Sequence, residues 1–320
     1  MGRRHCPTVI RKSGDHVSGV LTTRRSTSVT SAYGAWPRRR EKKMTVDESD
    51  ALLCANAVSY AYDSTPVISD VTITARPGDC IGLLGPNGSG KTTLLHLLAG
   101  LMPPSSGNIK LNGIELHQLE RSSVARQLAL VPQETVLAFD YSVNEVVLMG
   151  RYAHLHIFAK ETQEDLDIVK QCLLLTGTSA FADRRFSTLS GGEKQRVVIA
   201  SALAQLIPSK ANPVSVIDAV LLLDEPTTSL DLRYQLLIAE VLKTVRQKQS
   251  VTLVLSTHDP NFAAELCDQL ILLREGAIIA SGPTKSVLTI EHLRELYGIN
   301  TEITIHHKTG QLLVVPLKTA

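Results

Sequence analysis

No apolar run in this chain is long enough to cross a bilayer. A span needs roughly 18–20 consecutive apolar residues, and the longest candidate, Val216 to Leu223, is interrupted by Asp218. Any membrane role is therefore peripheral. Cysteine is sparse and unordered: Cys6, Cys54, Cys80, Cys172 and Cys267 are odd in number and form no C-x-x-C spacing. That excludes a disulfide framework and a zinc site and fits a reducing compartment. The amino-terminal stretch also lacks the apolar core of a secretory signal.

The 320 residues are 43% hydrophobic and 20% charged, which suits one large α/β domain or two small ones. A net charge of +2 conceals an asymmetry. Residues 1–43 hold eleven Lys/Arg against Asp15 and Glu41, a local +9 that leaves −7 for residues 44–320. Such a Ser- and Arg-rich arm reads as disordered, or as a mis-assigned start ahead of Met44. A transit peptide or an arm touching nucleic acid or anionic lipid are the other readings. The arm is set aside from the fold.

The chain is organised around Gly85-Pro86-Asn87-Gly88-Ser89-Gly90-Lys91-Thr92, which follows the apolar run Cys80 to Leu84 and opens into Thr93 to Ala99. It fits G-x-x-x-x-G-K-[ST] at every fixed position. A buried strand ends, a glycine loop turns, and a helix begins whose first amides lack intrahelical partners and face the loop. That is an anion nest. Lys91 reaches β- and γ-phosphates in such a loop, and Thr92 offers a hydroxyl to Mg²⁺.

Upstream, residues 51–77 alternate as an antiparallel β-subdomain leading into the loop strand. It contains Tyr60 and Tyr62, which either pack half-buried or stack on a base. From about Ser142 to Phe181 the pattern turns helical, a helical insertion within an α/β core. His154 and His156 in its middle read as solvated residues, not ligands. Leu189-Ser190-Gly191-Gly192-Glu193 then opens a helix, either as a second nest or as a capping box of Ser190 with Glu193.

Val220 to Leu223 is an apolar run ending at Asp224-Glu225, as a buried parallel strand delivers carboxylates to a sheet edge. One acid can hold Mg²⁺ through water and the other can polarise an attacking water. Val251 to Thr257 repeats the arrangement and stops at His258, placed to bond a γ-phosphate or orient water. Leu270–Leu273 with Gly276–Ala280 reads as a hairpin, Glu291–Tyr297 as a short helix, and Ile303 to Val315 as a last hairpin whose histidines are turn residues.

In this order, these motifs resemble the ATP-binding subunit of an ABC transporter, over roughly residues 52–300. The resemblance implies the ABC ATPase fold: a P-loop NTPase core with an antiparallel β-subdomain and a helical insertion at about 140–188. Residues 44–302 would form that domain and 303–320 a hairpin extension. It makes Tyr62 the adenine-stacking aromatic, Gly85 to Thr92 with Thr93 the Walker A loop, and Gln133 the Q-loop glutamine. Leu189 to Glu193 becomes the signature, Ser229-Leu230-Asp231 the D-loop, and His258 the switch histidine. The family's chemistry gives Lys91 and the loop amides the phosphates of ATP, Thr92, Gln133 and Asp224 the Mg²⁺, Glu225 the general base, and His258 the γ-phosphate. It also implies a homodimer in which Ser190, Gly191 and Gly192 complete the partner's site. Permease contacts would fall between Glu134 and Arg151, on the cytoplasmic face of the membrane. A periplasmic or extracellular binding protein acts indirectly, and no nucleic acid is implied.

A narrower resemblance is to importers of iron siderophores, haem and cobalamin. It rests on Val131-Pro132-Gln133-Glu134, Val146 to Arg151, Thr257 to Asn261, and the extra residues Pro208 to Asp218. The alternatives are an importer or exporter ATPase for another substrate, a soluble ABC ATPase acting on ribosomes or DNA, and a small-molecule P-loop kinase. A second P-loop is absent, and about a hundred residues separate Thr92 from Leu189, too few for a long coiled coil. A kinase would leave Gln133 and the signature unexplained.

Overall fold

The computed structural model describes residues 50–155, 159–209, 219–249 and 251–319. The basic arm, His156 and residues 210–218 lie outside them. In chain order the elements are β1 Leu53–Tyr62, β2 Thr65–Ala75, β3 Cys80–Leu84, α1 Lys91–Leu98, β4 Ser106–Leu111, β5 Ile114–Glu115, α2 Arg121–Ala125 and β6 Leu128–Val131. The helical insertion supplies α3 Val143–Met149 and α4 Gln163–Leu175, and α5 Gly191–Leu206 follows it. Then come β7 Val220–Leu223, α6 Leu232–Gln249, β8 Thr252–Thr257, α7 Pro260–Leu266, β9 Gln269–Arg274 and β10 Ala277–Pro283. The chain closes with α8 Thr284–Val287, α9 Ile290–Tyr297, β11 Ile299–Ile305 and β12 Leu312–Thr319.

The central sheet runs β10-β9-β3-β8-β7-β6, with parallel pairing from β9 through β6 and β10 antiparallel at the edge. Its inner strands are continuous apolar runs because both faces are covered. Alternation assigns each residue to a face: Cys80 and Leu84 with Leu221 and Leu223 face the core shared with α5, α6 and α7, whereas Ile81, Leu83, Val220 and Leu222 face α1 and the β-subdomain. That subdomain is the antiparallel sheet β2-β1-β4-β5, as the alternation in residues 51–77 predicts.

Register places the site. Leu84 pairs with Thr257 and Leu223 with Leu255, so β3, β7 and β8 finish side by side. Gly85, Asp224 and Ser256 to His258 therefore emerge on one edge of the sheet, where ligands bind in open α/β sheets.

The insertion is fastened to α5 more deeply than its sequence indicates. Ser142 with Glu145 and Thr162 with Asp165 form capping boxes that start α3 and α4. Arg151 is 0% exposed: its Nε donates to Asp165 Oδ1 at 2.9 Å and its Nη1 to the carbonyls of Ala204 and Ile207 at the end of α5. It therefore cannot itself be a permease contact, which corrects the end of the segment expected to carry them. His154 is likewise buried, not solvated, with Nε2 2.8 Å from the Gln205 carbonyl. Burial pushes its pKa down, so it is neutral at pH 7.

The last hairpin begins at Ile299, so the boundary expected at 302/303 falls inside β11. It is tied to the sheet edge from which His258 emerges. Asn261, at the start of α7, donates from Nδ2 to the Val314 carbonyl at 3.1 Å and accepts the Val314 amide on Oδ1 at 2.7 Å. The Tyr297 hydroxyl donates to the His258 carbonyl at 3.0 Å.

Candidate active site

The glycine loop is shaped by close approach. A Cβ on Gly85 would stand 2.2 Å from the Leu273 carbonyl oxygen, and Gly90 takes φ +99 as it caps α1. No side chain caps α1 and no acid lies in its first turn. Its first amides and the positive end of its dipole are left for an anion. Ser89 Oγ is buried without a partner, and Gly88 faces open space. These features fit a phosphate cradle.

Lys91 is 5% exposed and folds back over the loop, donating to the carbonyls of Gly85 at 2.9 Å and Pro86 at 3.1 Å. Its ammonium also lies 3.3 Å from Glu225 Oε1. Glu225 Oε2 accepts from the Thr228 hydroxyl at 2.7 Å and lies 3.2 Å from His258 Nδ1. Burial pushes the Glu225 carboxyl up, but Thr228, Lys91 and His258 outweigh it and hold it below its ordinary 4.5. Glu225 is thus ionised at pH 7, in the form a base requires. Its backbone sits at φ +42, uncommon for a residue with a Cβ, and its amide donates to Ser256 Oγ at 2.9 Å. The Ser256 hydroxyl donates to Asp224 Oδ1 at 2.6 Å, fixing the neighbouring acid.

Thr92 is exposed at the start of α1 and Thr93 is buried behind it. The Thr92 hydroxyl and the Asp224 carboxylate are hard oxygen donors of the kind Mg²⁺ takes in ones and twos beside phosphate oxygens. Gln133 stands two residues past β6, exposed, and no hydrogen bond joins it to the acids. Tyr62 ends β1, 47% exposed, in a T-shaped pair with Tyr60 at 5.0 Å, which leaves it accessible for stacking.

Ser190 to Gly192 and Asp231 form a second cluster, which no hydrogen bond among the described residues links to Lys91. Ser190 does close a capping box: its Oγ accepts the Glu193 amide at 3.4 Å, and its own amide donates to Glu193 Oε2 at 2.8 Å. Sequence reasoning assigned nothing to Ser256, Thr228 or Tyr234. Ser256 meets Asp224 and Glu225 because Leu223 pairs with Leu255, a register that composition does not reveal.

A family model described as ABC transporter matches residues 68–228. The chain belongs to the ABC transporter family. Among curated ABC proteins it is 36% identical to the ferric enterobactin transport ATP-binding protein FepC of Escherichia coli, over 84% of this chain and 96% of that one. It is 37% identical to the hemin import ATP-binding protein HmuV of Bordetella bronchiseptica, over 82% and 98%. It is 36% identical to the cobalamin import ATP-binding protein BtuD of Halobacterium salinarum, over 79% of this chain but 60% of that longer protein. Among solved ABC structures, an inward-facing conformation of a metal-chelate type transporter superposes with TM-score 0.71 at 30% identity, over 84% of this chain and 98% of that one. The fold expected from the motifs, an ABC ATPase cassette, is the fold observed.

Proposed function

We infer that this chain hydrolyses ATP to power a membrane importer for an iron siderophore, haem or cobalamin. The observation that carries the inference is the convergence of Lys91 and His258 on the Glu225 carboxylate at the open edge of the sheet. The loop amides and Lys91 hold the β- and γ-phosphates. As Lys91 moves from Glu225 to a phosphate, Glu225 loses one of the charges that depress its pKa and becomes a stronger base. Its carboxylate then takes a proton from the attacking water, and His258 hydrogen-bonds the γ-phosphate. Thr92, Asp224 and Gln133 would hold a Mg²⁺ ion, which when bound would supply charge neutralisation beside the phosphates.

The separation of the two clusters supports action as a homodimer, Ser190 and Gly192 of one copy closing over Lys91 of the other. The segment after Gln133 is suited to a permease: Val136 and Phe139 are apolar side chains 90% and 71% exposed. No helix among the described residues is long and apolar enough to cross a membrane, so attachment would be peripheral, on the cytoplasmic face. The named relatives support the cargo class. The test is affinity capture from the membrane fraction by Glu225→Gln protein with ATP and Mg²⁺. A polytopic permease should co-purify, with a binding protein that takes haem, a ferric siderophore or cobalamin. Capture of ribosomes or DNA without a permease would refute the reading.

A further inference from the structure

Tyr234, in the first turn of α6, has no role in the account above. Its ring lies against Gly192 so closely that a Cβ there would fall 2.4 Å from two ring carbons. The Ser190 hydroxyl donates to its phenol oxygen at 3.3 Å, and its amide donates to Asp231 Oδ1 at 3.0 Å. Leu230 supports Gly191 in the same manner, 3.5 Å from where a Cβ would stand. The start of α6 thus grips Asp231 through its backbone and Ser190 through a side chain.

Hydrogen-bond valence says what the phenol adds. A serine hydroxyl has two lone pairs and one hydrogen. The Glu193 amide fills one lone pair. In the resting chain the hydrogen is directed at Tyr234. When an outside anion attracts that hydrogen, the phenol, which can donate as well as accept, turns its own hydrogen onto the second lone pair. Two aligned hydroxyls then polarise one another toward the anion.

We propose that Tyr234 is a positioning residue: it fixes Ser190 Oγ and frees the serine hydrogen for a nucleotide phosphate bound on the Lys91 loop of a second copy. This rests on the reading that the signature cluster completes its partner's site. Tyr234→Phe keeps the ring against Gly192 and removes only the hydroxyl. ATP affinity, turnover and the thermal midpoint are measured on the full chain for wild type, Tyr234→Phe, Ser190→Ala and the double variant.

The Phe variant should keep the wild-type midpoint and the wild-type affinity of the unpaired chain for ATP, because that site is built on Lys91. Its turnover should fall about 5- to 10-fold, the effect of one hydrogen bond. In the Ser190→Ala background the same change should cost nothing more. Wild-type turnover in Tyr234→Phe, or an equal loss in both backgrounds, overturns the proposal. Light scattering gives a second reading on Glu225→Gln chains: Tyr234→Phe should weaken ATP-driven pairing about 5- to 10-fold, and undiminished pairing overturns the proposal. A wild-type chain that neither pairs nor turns over with ATP refutes the shared-site reading and this inference with it, a result distinguished from failure at Tyr234 alone by the wild-type control.

Discussion

Replacing Arg151 by Met should destabilise the helical insertion strongly. The guanidinium has no exposed surface and makes three charge-assisted bonds, one to Asp165 and two to carbonyls that end α5. Methionine fills much of the volume and makes none of them. Removing one partner of a buried ion pair costs about 3–5 kcal/mol. Asp165 keeps the Thr162 amide and hydroxyl on its other oxygen, which places the change near the middle of that range. At 2–4 °C per kcal/mol for a domain of this size, about 4 kcal/mol is a fall of about 8–16 °C in the melting midpoint. Acid adds a signature. Burial pushes the Asp165 carboxyl up, but Thr162 and Arg151 together hold it below its ordinary 3.8. Its contribution is therefore present above pH 3.8 and lost as pH falls through the folded value, and the gap between wild type and variant should narrow there. Thermal unfolding followed by circular dichroism at neutral pH and near pH 3 measures both. A fall of less than about 4 °C, or a gap that widens in acid, would refute the argument.

Three further changes test the catalytic edge. Glu225→Gln should keep ATP affinity within a few-fold while turnover falls at least about 100-fold, because the amide cannot take a proton; undiminished hydrolysis would remove Glu225 as the base. Lys91→Ala removes two loop contacts and the ammonium that meets phosphate, so ATP affinity measured by calorimetry should fall at least about tenfold; unchanged affinity argues against the cradle. Gly85→Ala forces a methyl to within 2.2 Å of the Leu273 carbonyl. It should lower stability by about 1–3 kcal/mol and weaken ATP binding together; a variant with wild-type melting and affinity would show that the loop has room.

How legible the site was depended on how local its determinants are. The glycine loop could be read because its spacing and its lysine specify a turn and a nest within eight residues. Asp224, Glu225 and His258 could be read because each ends an apolar run, and such runs become buried parallel strands. Ser256 and Thr228 were missed because their value depends on register and on a turn, not on composition. Arg151 and His154 were misplaced for a related reason. Both are chargeable side chains that sequence alone would leave to solvent, and both are buried with carbonyls from the end of α5 as partners, some fifty residues away. Tyr234 had no signal at all: one tyrosine early in an amphipathic helix says nothing of the glycine it meets.

The last hairpin closes a mechanical loop. Val314 is held by Asn261, three residues beyond His258, and Tyr297 holds the carbonyl of His258 itself. Shortening the chain after Gly298 would thus act at a distance, removing the Val314 tie at Asn261 while Tyr297 still holds the His258 carbonyl. The last hairpin and the turn that carries His258 are joined as one mechanical unit.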